Sequence, residues 1–519
     1  MQTPEELHDF YTASFGKEGL KIRFDRLKIV NLLRNQGFYR YVPDEEKTNA
    51  SEKVCIVDNK IRLVENIDII YAFEDYIKSL PPLKRTYYKK ESNNEEPNQI
   101  ECIITPEILQ SKLYDNLRNL SSDLMDMLRP VNKQIKIQSD DPHTKYVFFN
   151  NTALSITKDG VQSISYDQLT DCIWESSIIN RDYTEDTRCG DFEKFIGHIC
   201  KYDPKNNINL DRKESLMSLL GYLMHDNYET NLKAVMFTDV NQDHAGEAAG
   251  GTGKGLLGKA LEQMLSRSKV NTRYLSIPGK GFEFKDTRYS RGGLNTQLIH
   301  IEDLEKNFKF EQLYNDITEG ALFRKLHHDP SIHRAKFMLS VNHTINFRGS
   351  SDKRRLVIFE LHNYYSEVFT PEDEFGKRFF ESDWTQDDWN QFYTFMIRCI
   401  AIYMERGLIE PESVNYENRL IQEQLPEDFV FFFESEISSA VAHQERLELN
   451  KKDFWRRFII DYDVYFKYGQ NAFTKWCVSY CEHKHIRSAH VRTKRQGAYV
   501  DMLVLYPNAD EAVYKYIVK

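Results

Sequence analysis

Apolar residues recur along the chain with two periods, and the switches between them mark out its elements. From about 190 to 230 the spacing is helical, with Leu216, Leu219, Leu220 and Leu223 on one face. Ala234-Val235-Met236-Phe237 then reads as a short buried strand. It runs into a glycine-rich stretch, Gly246 to Gly255, and an amphipathic helix follows with Leu256, Leu257, Ala260, Leu261, Met264 and Leu265 on one face. Leu298-Ile299-His300-Ile301 and Phe337-Met338-Leu339-Ser340-Val341 are two further buried-strand candidates. The alternation predicts an α/β domain over 229–370, three layers around a mostly parallel sheet. A helical stretch around Trp389–Met404 and a charged connector make up 371–447, a helical lid.

The flanks read differently. Residues 1–150 mix helical spacing with strand text such as Lys53–Val57 and Tyr146–Phe149, an α+β region of unassigned role. The polar run Lys89–Gln99 reads as a loop or linker. Residues 151–228 are expected to form a helical, oligomerisation collar. Over 448–519 the order is helix (Phe454–Tyr462), helix (Phe473–Cys481), then strand alternation from Ile486 to Pro507 about Gly497, which suits a winged-helix-like module.

Composition narrows the class. The chain has 519 residues, 41% hydrophobic and 13% aromatic, so it can bury several cores and is not wholly disordered. Its net charge of −10 argues against a general nucleic-acid coat while leaving room for local basic sites. No apolar run approaches the ~20 residues that span a bilayer, and Met1–Glu6 shows no signal-peptide pattern, so no membrane association is expected. Eight scattered cysteines predict reduced intracellular thiols. Cys477, Cys481, His483 and His485 are zinc-ligand residue types, but the loop that normally separates ligand pairs is missing, and core cysteines account for them without metal.

The glycine-rich stretch carries the chemistry. In Gly250-Gly251-Thr252-Gly253-Lys254-Gly255 the glycines let several N–H groups converge on one anion, Lys254 adds a cation, and the helix start adds its positive end. The common pattern G-x-x-x-x-G-K-[ST] is met in part: Ala248 stands for its first glycine, and Gly255 for the hydroxyl residue that holds Mg²⁺. Glu302 and Asp303 end the second strand, 48 residues after Lys254, where one carboxylate can hold Mg²⁺ through water and the other can polarise attacking water. Asn342 ends the third strand, positioned to orient water or sense a γ-phosphate. Arg354 and Arg355 open the next strand and are either surface charge or transition-state fingers. Between 324 and 355 lie eight Lys/Arg and two Asp, with a turn signal at Asp329-Pro330-Ser331 between basic arms. A second basic run, Lys484–Arg495, has no acidic residue and is a candidate phosphate contact at the wing.

In this order the elements resemble the superfamily 3 helicases, ring-forming AAA+ proteins, and within them the helicase part of phage, plasmid and poxvirus-type primase–helicases. The likeness covers about 200–410. Lys306–Glu311 and Ile317–Gly320 also match text of the phage-type members. The resemblance implies a central AAA+ P-loop domain that binds ATP and Mg²⁺, with Gly250 to Gly255 on the nucleotide. It makes Glu302 and Asp303 the second Walker motif, Asn342 the first sensor, and Arg354 or Arg355 a finger acting on the neighbouring subunit. It also implies a pore hairpin in which Arg324, Lys325, His327 and His328 contact DNA. The implied function is an ATP-driven hexameric DNA helicase or translocase, 3′-to-5′, acting on single-stranded or forked DNA. It would replicate a phage, plasmid or other mobile element in the bacterial cytoplasm, with a separate primase or initiator, since residues 1–190 show only Asp140-Asp141 as a weak carboxylate motif. The alternative is a DNA-binding initiator or regulatory ATPase that switches without unwinding.

Overall fold

The structure is a computed structural model that describes the chain apart from residues 1–2, 17–18, 43–51, 90–97, 117–126, 132–134, 202, 204, 206–207, 229–231, 241–250, 266–271, 281–287, 294, 307, 325–329, 346–349, 444–445, 485, 496–497 and 507–519. Its centre is a five-stranded, all-parallel sheet. The last two helices before it are α1 (Asp191–Ile199) and α2 (Leu210–Met224). Strand β1 (Ala234–Asp239) leads to α3 (Lys254–Leu265), and β2 (Tyr274–Pro278), β3 (Leu298–Leu304), β4 (Lys336–Val341) and β5 (Leu356–Leu361) follow. The spatial order is β2-β3-β4-β1-β5. Every residue of β1 and of β4 is buried, as expected for interior strands covered on both faces.

The period of two along β1 divides two cores. Val235 and Phe237 point into a cluster with Leu257, Leu261, Phe195 and Leu216. Ala234 and Met236 point into the opposite cluster, with Ile299, Leu313, Phe323 and Phe337. The result is the three-layer α/β arrangement expected from sequence.

The collar expectation needs correction. Residues 151–228 open not with helices but with the strands Ala153–Thr157 and Gly160–Ile164, which pair antiparallel with each other. Ala153–Thr157 also pairs antiparallel with the preceding strand Lys145–Phe149, to which Ile178–Ile179 lies parallel. A cut at 150 falls in the hairpin connection between Phe149 and Ala153. Val147, Phe149, Leu154 and Ile156 share one core with α1, α2, α3 and the helix α4 (Gln386–Arg406). Helices α2 and α4 touch through Gly221, where a Cβ would lie 2.3 Å from the Cys399 carbonyl oxygen, so no other residue fits there without parting the helices. The helical stretch around Trp389–Met404, expected to be a lid, is thus part of the main core. The period of three to four along 386–406 could not show this, because it reveals a buried face but not its partner.

Two further readings change. The Lys89–Gln99 run joins strands Leu83–Lys89 and Asn98–Ile104 of a single antiparallel hairpin rather than two domains. At the C-terminal end, α5 (Glu427–Ala442) precedes β6 (Leu447–Asn450), α6 (Lys451–Asp461), α7 (Gly469–His483), β7 (Arg487–Arg495) and β8 (Ala498–Tyr506). The three strands form an antiparallel sheet in the order β6-β8-β7. Their core includes Phe429, Phe432, Phe433 and Ile437 of α5, so the unit begins well before residue 448. Cys477 and Cys481 lie in that core, where burial pushes the Cys481 thiol up to about 12. His483 meets Gln424 Oε1 at 3.2 Å, and His485 lies outside the described residues. No helix among the described residues is long and apolar enough to cross a membrane.

Candidate phosphate-loop site

A parallel sheet brings the C-terminal ends of its strands to one edge, and most of the residues singled out from sequence sit there. Asp239 ends β1, Glu302 and Asp303 lie at the end of β3, Asn342 follows β4, and Leu361 ends β5. Because β4 lies between β1 and β3, Asn342 stands between the glycine-rich turn and the acidic pair.

The turn has the backbone its glycines allow. Gly251 and Gly253 have φ of 90° and 109°, in the left-handed region. A Cβ on Gly253 would meet the Phe195 ring at 2.6 Å, and one on Gly251 would lie 3.2 Å from the backbone of Ser366. Both glycines also lie close to neighbouring structure, Gly253 to α1 and Gly251 to the segment after β5. Lys254 opens α3, so its ammonium and the helix N-terminus act on the same space. Its side chain is mostly buried and its Nζ is ion-paired with the Asp239 carboxylate. Thr252 Oγ1 donates to Asp239 Oδ1 at 2.5 Å and lies 3.3 Å from Lys254 Nζ. A Cβ on Gly255 would meet no atom within 4 Å, so the pattern's missing hydroxyl residue has space. Gly250 lies outside the described residues.

The acidic end is built on a register defect. The β3–β4 pairing shifts between Ile301 and Leu304, and Asp303 adopts φ of 51°, unusual for a residue with a Cβ. Asn342 Nδ2 donates to Asp303 Oδ1 at 3.0 Å, so the predicted sensor and the predicted carboxylate meet. The Gly279 N–H donates to the Glu302 carbonyl, and a Cβ on Gly279 would stand 2.5 Å from that oxygen. Ser276 Oγ donates to Glu302 Oε1 at 2.5 Å. Both carboxylates face solvent.

Below them, His300 bridges three strands. Its Nδ1 lies 2.6 Å from the Tyr274 hydroxyl on β2 and its Nε2 lies 2.6 Å from Ser340 Oγ on β4. Burial pushes its pKa down to about 4, so it is neutral at physiological pH. Gly258 of α3 packs on this pair, since a Cβ there would lie 2.7 Å from the Tyr274 hydroxyl. Asp239, Ser276, Gly279 and His300 were not singled out from sequence as site residues. The one available signal was a carboxylate, Asp239, ending an otherwise apolar strand.

The two arginines part company. Arg355 lies over the Tyr314 ring at 4.7 Å, while the Tyr314 hydroxyl donates to Asp352. Burial, helped by Asp352, pushes the Tyr314 phenol up to about 12. Arg354 is exposed. The basic arms do form a hairpin: Ala321–Phe323 pairs antiparallel with Ser331–His333, and Arg324 is exposed where the first strand ends. Lys325, His327 and His328 lie outside the described residues.

No protein-family model and no curated protein matches the chain. Among solved structures, "Structure of Drosophila ORC bound to DNA" aligns with 68% of this chain and 96% of that one, at 12% identity and a TM-score of 0.18. A likeness that slight carries no argument about fold or function.

Proposed function

We propose that the chain is an ATP-driven DNA helicase or translocase of the superfamily 3 type, working as a ring, most simply a hexamer, with 3′-to-5′ polarity in the replication of a phage, plasmid or other mobile element. The observation that carries the reading is the shared sheet edge. A glycine turn with a lysine at a helix start, an exposed carboxylate pair and an amide bonded to one of those carboxylates stand on adjacent parallel strands. This is the set that phosphoryl transfer needs: a cradle for phosphates, a holder for a metal and a group that orients water.

In this reading Lys254 and the turn from Gly250 to Gly255 bind ATP. Glu302 and Asp303, exposed at the end of β3, suit Mg²⁺ held through water. The metal would neutralise phosphate charge, with Gly255 contributing no ligand. Glu302 polarises the attacking water and Asn342 orients it. Exposed Arg354 reaches the neighbouring subunit, while Arg355, stacked on Tyr314, sets the helix Ser350–Arg355 that presents it. Arg324, Lys325, His327 and His328 contact one DNA strand, and the segment that holds them joins β3 to β4, the two strands that carry Asp303 and Asn342.

The second reading, a DNA-binding ATPase switch without unwinding, is favoured by the C-terminal unit. Its helix–strand–helix–helix–strand–strand order is that of a winged helix, and His490, Arg492 and Lys494 are exposed along β7. Paired assays on one preparation separate the two: ATP hydrolysis, and displacement of a strand from a forked DNA. Hydrolysis with ATP-dependent displacement supports the helicase. Hydrolysis without displacement, under conditions where the protein binds the fork, moves the reading to the switch.

A further inference from the structure

Lys254 is buried in the structure, and a buried ammonium is costly unless an anion accompanies it. That anion is Asp239, 1% exposed. Both of its carboxylate oxygens are taken, Oδ1 by the Thr252 hydroxyl at 2.5 Å and Oδ2 by the Lys254 ammonium. The Thr252 hydroxyl closes the triangle at 3.3 Å from Lys254 Nζ. Asp239 lies outside the glycine-rich pattern, at the end of β1, yet it occupies the group that the pattern reserves for phosphate.

Any phosphate drawn to Lys254 must approach this carboxylate. Two anions then face one ammonium in a partly desolvated space, where like charges repel strongly. A carboxylate serving only as fold support would weaken the ligand the loop is shaped to hold. One that is given up when phosphate arrives would keep the lysine charged, oriented and compensated in between.

We propose that Asp239 is a positioning residue that holds Lys254 as an internal surrogate for phosphate, so that a polyphosphate ligand binds by exchange with this carboxylate. The inference rests on the reading of Lys254 as a phosphate ligand and adds to it a counter-ion that moves aside.

The test is equilibrium binding of ATP and of inorganic tripolyphosphate to the full chain, without DNA, alongside thermal unfolding. Asp239→Asn keeps the size and an oxygen acceptor but removes the charge. The expected result is tighter binding of both ligands, by about tenfold, together with a lower unliganded melting temperature. A purely structural pair gives that same loss of stability with unchanged or weaker binding, and this outcome overturns the proposal. If Asp239→Asn does not fold, Asp239→Ser is read in the same way. Should neither fold alone, refolding on addition of tripolyphosphate supports exchange, and failure to refold overturns it. The double variant Lys254→Ala with Asp239→Asn tests the underlying reading. If it binds tripolyphosphate as tightly as Asp239→Asn alone, Lys254 is not a phosphate ligand. If it loses binding while Asp239→Asn binds no tighter than the parent, the loop reading stands and the exchange alone fails.

Discussion

The two ends of the candidate site are built in opposite ways. At the β1 end the charged groups are buried and satisfy one another: Lys254, Asp239 and Thr252 form a closed set. At the β3 end Glu302 and Asp303 face solvent, each accepting one side-chain hydrogen bond, and the backbone beneath sets their place through a register shift, a left-handed Asp303 and a close approach by Gly279. The contrast teaches where side-chain changes will register. At the buried end, removing one charge strands another, so stability falls whichever partner is changed. At the exposed end a carboxylate can be changed with little cost to the fold, whereas a change to the backbone beneath it displaces both.

The sharpest way to break this comparison is Lys254→Ala, which leaves the Asp239 carboxylate buried without its cation. It should abolish ATP turnover and also destabilise the fold by about 3–5 kcal/mol, read from denaturant unfolding. Glu302→Gln should lower turnover about a hundredfold with stability within about 0.5 kcal/mol of the parent. Equal stability losses for the two would erase the distinction.

A second measurement is the acid slope of stability. His300 has its folded pKa pushed down to about 4, below the ordinary value near 6.5, so the unfolded chain binds the extra proton between these limits. Stability is therefore full above about pH 6.5 and falls as the pH drops towards 4, by on the order of 3 kcal/mol from this group. His225, also pushed down to about 4 by burial, adds a slope of the same sign. His300→Gln should flatten the slope in part, while an unchanged slope would separate His300 from the acid response.

Gly279→Ala tests the backbone claim. Its Cβ would press on the Glu302 carbonyl from 2.5 Å, costing about 2 kcal/mol and lowering turnover although no charged group is altered. Asn342→Ala should cost less, about 1 kcal/mol, since its bond to Asp303 is partly exposed, while turnover drops about tenfold. The smallest effect is expected for Gly255→Ser. Open space there predicts stability within about 0.5 kcal/mol and a lower Mg²⁺ requirement for hydrolysis, measured by metal titration.

Much of the central domain was legible because fully buried strands have nothing polar to display. Ala234–Phe237, Leu298–Ile301 and Phe337–Val341 read as strands on apolar text alone. Strand β2 was missed: Tyr274-Leu275-Ser276-Ile277-Pro278 is short, holds a serine and ends in proline, and its place comes from pairing with β3. The strands between 153 and 164 were read as part of a helical region because the leucine spacing further on dominated that stretch. Gly221 and Gly279 carried no sequence signal at all, since a glycine needed for close approach looks like any other until the approaching backbone is known.

By itself the sequence determined the local text of this protein: a strand, a glycine turn carrying Lys254 and a helix after it, two carboxylates after a second apolar run, an amide after a third, and basic arms about a turn. These follow from neighbours in the chain, through residue size, backbone freedom and the periods of helix and strand. Only the tertiary structure decided which of them meet. Strand order places Asn342 between the loop and the acidic pair, puts Asp303 within a hydrogen bond of it, and leaves Arg354 exposed while Arg355 stacks on Tyr314. It also gave Lys254 a buried partner fifteen positions upstream. The physical reason is that ion pairs and close backbone contacts depend on distance in space, and the parallel sheet sets those distances by pairing strands that lie far apart in the chain.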